Sequence, residues 1–269
     1  MLLNFQTHYC DNNDEWIVLF HGLGGNHSIF YKQIEPFKKH FNLLCIDFPG
    51  HGESGSFDDP DYLTLTSEKV IELMNHLKIK TAHFVGVSLG TIVMQDISLR
   101  HGHRIRSMVL AGAASKFLKW GQILCKLTLA KPVRKVLPYM LPYSIFAFLL
   151  MPKKNHRKAR TIFIREAFKL GKNDYLKWAH VAKYAYKTYD RLTLRKNVIP
   201  KLYISGSEDH MFLKGIQKFV KTEASSDLTI IPDCGHVCNI EKAETFNKKA
   251  LAFLKDIRAI HQQQNRKVI

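Results

Sequence analysis

The stretch that most constrains the fold is residues 82–102, AHFVGVSLGTIVMQDISLRHG. Ala82 to Val87 is a short run of apolar and β-branched residues, the composition of a buried strand. Leu89, Ile92, Val93 and Ile97 then recur at helical spacing as far as His101, and Gly102 is a stop signal. Between them lies Gly86-Val87-Ser88-Leu89-Gly90, a Gly-x-Ser-x-Gly pentapeptide at a strand-to-helix turn. So sharp a turn strains its central residue. Glycine on both sides lets strand and helix pass close together while the hydroxyl stands clear of the sheet. The helix N-terminus behind it presents unpaired N–H groups and positive dipole where an oxyanion would form. Ser88 is therefore the candidate nucleophile.

The rest of the chain repeats a strand–helix rhythm around this turn. Trp16 to Phe20 (WIVLF), Leu43 to Phe48 (LLCIDF), Ser107 to Ala111, Lys201 to Ser205 (KLYIS) and Leu228 to Ile231 (LTII) read as strands. Residues 28–40 read as a helix, as does Thr66 to Leu77 with Thr66 or Ser67 as its cap. Further helices are expected between the last two strands and over Ala243 to Ile260. Apolar strands alternating with helices predict a mostly parallel sheet covered on both faces. In such sheets chemistry gathers at the carboxyl ends of the strands, where His21-Gly22-Leu23-Gly24-Gly25 and Pro49-Gly50-His51-Gly52-Glu53-Ser54-Gly55 both fall.

A serine hydroxyl needs a base, and the base an orienting acid. His236, in the loop Asp233-Cys234-Gly235-His236 after the last strand, is the best-placed base, with Gly235 expected to let the loop bend. Asp209 in Gly206-Ser207-Glu208-Asp209 is the favoured acid, with Glu208 its competitor. His21 and His51 lie on early loops and are expected to brace turns, and Asp47 and Asp233 to serve loop hydrogen bonds. An oxyanion needs two N–H donors. One is expected from Leu89, the other from Leu23, with Gly24 as the alternative. Cys234 and Cys238 bracket a histidine, but no second cluster completes a metal site, so they are expected to pack; no metal or cofactor is called for.

HGLGG, PGHGES, GVSLGT, GSED and CGH, in this order and at strand ends, make the chain resemble the α/β-hydrolase superfamily, in its esterase- and lipase-like branch with a helical cap. The resemblance spans nearly the whole sequence. It implies an α/β-hydrolase fold, a mostly parallel central sheet with helices on both faces, built from residues 1–114 and 192–269, and a helical cap over 115–191. It also implies the nucleophile–acid–base order Ser88, Asp209, His236. Serine at 88, where dehalogenases and epoxide hydrolases carry aspartate, speaks against those two classes.

The chain's 269 residues carry a formal charge of +17. Residues 115–191 hold 18 basic against three acidic residues, so nearly all the excess belongs to the cap. That charge suggests a solvated face, attraction to acidic substrates, or peripheral contact with an anionic membrane surface through Lys116, Lys119, Lys153, Lys154, Arg157 and Lys158. No nucleic-acid-binding motif accompanies it. Leu141, Phe146, Phe148 and Leu149, from the longest apolar run, are expected to line an acyl pocket. Five scattered cysteines and an N-terminus unlike a signal peptide favour reduced thiols and a cytoplasmic setting. The expected function is a serine carboxylesterase acting on small-molecule acyl esters of hydrophobic acids. Two other readings stand beside it, a C–C hydrolase or lyase on a small anionic substrate and a non-catalytic ligand-sensing protein on the same scaffold.

Overall fold

A computed structural model describes residues 1–11, 13–115, 117–136, 138–195 and 198–266; Lys116 lies outside them. Strands β1 (Phe5–His8), β2 (Trp16–Phe20), β3 (Asn42–Ile46), β4 (Ala82–Val87), β5 (Ile105–Ala111), β6 (Lys201–Gly206) and β7 (Ser226–Ile231) form one sheet in the order β1-β3-β2-β4-β5-β6-β7. All neighbours pair in parallel except β1, which runs antiparallel to β3. Val18, Leu19, Phe84, Val85, Val109 and Leu110 are fully buried. At roughly 1.5–3 kcal/mol per large side chain, such burial explains why these runs carry no polar alternation.

Helices α1 (Ile34–Lys38), α2 (Tyr62–His76), α3 (Leu89–Arg100), α10 (Leu213–Val220), α11 (Cys238–Glu241) and α12 (Ala243–Arg266) belong to the sheet layers. Between β5 and β6 the described residues form helices α4 (Lys119–Leu129), α5 (Lys131–Val136), α6 (Met140–Leu150), α7 (Arg157–Ala167), α8 (Lys172–Lys183) and α9 (Ala185–Thr193). No described helix is long and apolar enough to cross a membrane.

Two helix expectations are corrected. Residues 28–40 are not one helix but a 3-10 turn at His27–Phe30 followed by the short α1. Pro36 has no N–H to return to the Lys32 carbonyl, which instead accepts from the Asn247 side chain at 2.8 Å. Helix α2 starts four residues before Thr66, because the Asp61 carboxylate caps the Thr64 N–H at 3.2 Å. Thr66 is inside the helix, its hydroxyl donating to the Tyr62 carbonyl.

The sheet's register sets up the site. Phe20 at the end of β2 stands opposite Gly86, and Val87 opposite Ala111 of β5. The loops leaving β2, β4, β6 and β7 therefore converge at one edge of the sheet.

Candidate active site

Ser88 occupies φ +53° and ψ −115°, a left-handed conformation that a side-chain-bearing residue adopts only at a cost. The surroundings hold it there. The Ser88 N–H donates to the Ala111 carbonyl at 2.9 Å, tying the turn to β5. A Cβ on Gly90 would run into the Phe20 and His21 carbonyls, and one on Gly86 into Met94 Sδ. The two glycines are thus required by close approach, since neither has a positive φ.

His236 Nε2 lies 2.8 Å from Ser88 Oγ, and His236 Nδ1 lies 2.8 Å from Asp209 Oδ2. Asp209 accepts a second bond from the Phe212 N–H at 3.2 Å, which fixes its carboxylate. The imidazole and carboxylate are wholly buried. With Nδ1–H donating to Asp209, Nε2 is left to accept from the serine hydroxyl. Gly112, at φ +51°, makes room, because a Cβ there would strike the His236 carbonyl.

Glu208 points elsewhere. Hydrogen bonds from Asn155 and then Lys153, with His156 adding a third, hold its carboxyl down at about 2. All three partners come from the link between α6 and α7, so Glu208 fastens the cap rather than the imidazole. Gly235 also differs from expectation. The left-handed residue in this loop is Asp233, at φ +49°. A Cβ on Gly235 would instead lie 2.9 Å from His156 Nε2, so its smallness serves the cap contact.

The two expected oxyanion donors are oriented by one device. In a trans peptide the carbonyl and the following N–H point opposite ways, and no peptide here is cis. The Ser88 carbonyl accepts from the Thr91 N–H at 2.9 Å and the Thr91 hydroxyl at 2.6 Å, which turns the Leu89 N–H the other way. The Gly22 carbonyl accepts from the Gly25 N–H at 3.0 Å and the His21 ring at 2.8 Å, which does the same for Leu23. Gly22 packs against Ser88, 3.4 Å separating Ser88 Cβ from a Cβ placed on the glycine. Gly24, the alternative donor, is occupied: its N–H goes to His51 Nε2 at 3.0 Å. The same peptide's carbonyl, on Leu23, accepts from the Tyr143 hydroxyl of α6.

A family model described as the alpha/beta hydrolase fold matches residues 15–127. The chain aligns over 94% of its length with 92% of the 2-hydroxy-6-oxo-6-phenylhexa-2,4-dienoate hydrolase of Burkholderia cepacia, at 27% identity. It aligns over 89% with 88% of 3-oxoadipate enol-lactonase 2 of Acinetobacter baylyi, at 23% identity. The solved esterase (EaEST) from Exiguobacterium antarcticum superposes with a TM-score of 0.80 over 94% of this chain and 95% of that one. At 16% identity that likeness is one of fold.

The chain has the α/β-hydrolase fold.

In this hydrolase the two early histidines brace the loop after β2 in neutral form. His21 Nε2 accepts the Phe48 N–H at 2.9 Å, so its single proton sits on Nδ1 and faces the Gly22 carbonyl. Burial pushes His21 down to about 4 and His51 well below its usual value. Below pH about 6.5 the unfolded chain takes protons that the folded hydrolase refuses until about 4, so stability falls across that window. For His21 alone the loss is on the order of 3 kcal/mol. Melting temperature should therefore drop steadily from pH 7 to pH 4, and less steeply in His21→Gln, which has no proton to gain. A flat profile over that range would contradict the neutral clasp.

Asp47, expected to serve loops, accepts from Asn4 Nδ2 and from the His27 N–H, and these bonds hold its carboxyl below the ordinary range against the opposing effect of burial. Cys234 and Cys238 are buried packing residues beside His236.

Beside Ser88 the hydrolase has a narrow, partly open chamber, lined by Leu23, Ile29, Val87, Val237 and Ile240 and roofed by Ala159, Ile162, Phe163 and Glu166 of α7. Those four residues at i, i+3, i+4 and i+7 form one face of the helix. The spacing was visible in the sequence, but the surrounding lysines and arginines obscured it. A second, partly open cavity shares Leu23 with the first and is lined by Phe117, Leu124, Tyr143, Phe146 and Tyr175. Of the four cap residues expected in an acyl pocket, Phe146 lines this second cavity. Leu141, Phe148 and Leu149 face solvent at 44–54% exposure. Helix α6 is apolar all round, so its sequence carries no polar stripe to show which side turns inward.

Proposed function

We propose that this α/β-hydrolase is a carboxylesterase for uncharged, hydrophobic acyl esters. Ser88 attacks the ester carbonyl while His236 Nε2 takes the hydroxyl proton and then delivers it to the departing alcohol. Asp209 keeps the imidazole in the Nδ1–H tautomer and stabilises the imidazolium. The Leu23 and Leu89 N–H groups receive the oxyanion. Water activated by His236 then hydrolyses the acyl-enzyme and frees Ser88.

The observation that carries this reading is the lining of the Ser88 chamber. Apart from Ser88 its side chains are apolar, with one carboxylate, Glu166, and among the described residues neither Lys nor Arg lines it. Arg165 and Lys169 reach the Glu166 carboxylate, but both are about two-thirds exposed. A substrate carboxylate would lose its hydration here without gaining a cation. That weighs against a C–C hydrolase or lyase acting on an anionic molecule.

The test is a series of p-nitrophenyl esters of increasing acyl length, each paired with an ester of the same length ending in a carboxylate. Turnover efficiency should rise by about four-fold per methylene until the chamber is filled, and the carboxylate-bearing partner should be at least about 10-fold poorer. Efficiency that falls from acetate upward, or a preference for the anionic ester, would overturn the reading.

A further inference from the structure

From Ser115 to Arg165 the chain contains eight lysines and four arginines and not one aspartate or glutamate. The same segment bares several large apolar side chains. On α6, Leu141, Ile145, Phe148 and Leu149 fall at i, i+4, i+7 and i+8, one face of the helix. On α4, Ile123 and Leu127 fall at i and i+4. All six are between 44% and 58% exposed. Helices α4 and α6 pack on each other and line the second cavity through their other faces, with Leu124 from one and Phe146 from the other. The exposed residues therefore lie on the outside of the cap.

Rows of half-exposed large apolar side chains on neighbouring helices are uncommon on a protein that meets only water. Basic residues flank them at both ends. Lys126, Lys131 and Lys135 are exposed on α4 and α5, and Lys154, Arg157 and Lys158 are exposed where α6 passes into α7. Lys153 is already paired with Glu208, and the Arg160 guanidinium lies 4.4 Å above the Phe148 ring at the border of the face.

We propose that the outer face of the cap docks this hydrolase on an anionic lipid bilayer. The six apolar side chains enter the headgroup–acyl boundary, and the flanking lysines and arginines meet phosphate and other anionic headgroup oxygens. A bilayer fits both features together. Helix α6 has no charged side chain with which to specify a protein partner, while the charge around it is of a single sign, complementary to an anionic leaflet. Neither set of residues touches Ser88, Asp209 or His236, so docking and chemistry are separable. Docking does not rest on the ester reading.

The experiment is co-sedimentation of the full chain with vesicles of phosphatidylcholine alone and of phosphatidylcholine mixed with phosphatidylglycerol, at low and at physiological salt. Two triple variants accompany it, Ile145→Gln/Phe148→Gln/Leu149→Gln and Lys154→Gln/Arg157→Gln/Lys158→Gln. Wild type should bind the mixed vesicles much more tightly than the neutral ones, and more weakly as salt rises. The charge variant should lose about 100-fold in affinity and the apolar variant at least about 10-fold. Both should keep the far-ultraviolet circular dichroism, melting temperature and short-ester turnover of wild type, which separates lost docking from lost folding. Wild type that ignores anionic vesicles at low salt would overturn the proposal, as would binding that survives both variants. A dimer in solution that the apolar variant splits, with no vesicle binding, would assign the face to a second copy of the chain and overturn it equally.

Discussion

Ser88→Ala is expected to lower ester turnover by roughly 10⁶-fold while leaving the melting temperature within a degree or two of wild type. The size follows from removing the atom that forms the covalent bond in a site whose parts act as one unit. The unchanged stability follows from the geometry. Alanine meets the same left-handed strain at φ +53° as serine, and the backbone bond from position 88 to the Ala111 carbonyl does not involve the side chain. What survives is the contribution of the Leu23 and Leu89 N–H groups and of substrate binding. Turnover reduced only a few-fold would mean that another residue attacks the carbonyl.

The second large effect separates two neighbouring carboxylates. Asp209→Asn should cost about 10⁴-fold in kcat, because an amide favours the wrong imidazole tautomer while still filling the same buried space. His236→Ala should approach the loss seen at Ser88. Glu208→Gln should instead leave kcat within a few-fold of wild type and lower the melting temperature, since Glu208 joins Lys153, Asn155 and His156 of the cap to the core. Steady-state kinetics and thermal melts on the three variants decide it. If Glu208→Gln proves the more damaging to kcat, the acid has been assigned to the wrong residue.

Where local chemistry and global packing agree, this chain could be read directly. WIVLF matches β2 residue for residue because both its faces are buried, and the GVSLG turn is legible because glycine at 86 lets β4 pass close to α3 and glycine at 90 lets α3 start against the end of β2. Asp209 was separable from Glu208 only by position, and it is the cap, invisible in the sequence as a partner, that claims Glu208. Strand β1, FQTH, went unread because it is short, only partly buried and at the sheet's edge. The apolar spacing over 28–40 runs on past the short α1 because Pro36 interrupts the helical hydrogen bonds without disturbing that spacing. The cap failed in opposite ways in two helices. In α6 uniform apolarity hid the direction of the core, and in α7 abundant charge hid the four residues that roof the Ser88 chamber.

The central claim, that Ser88 is the nucleophile of an acyl-transfer site built with His236 and Asp209, is tested most directly by covalent capture. The hydrolase is treated with a fluorophosphonate, digested, and its modified peptide located by mass spectrometry. The account predicts a single adduct on Ser88, abolished in Ser88→Ala and formed far more slowly in His236→Ala. An adduct on any other residue, or labelling that persists in Ser88→Ala, would contradict it.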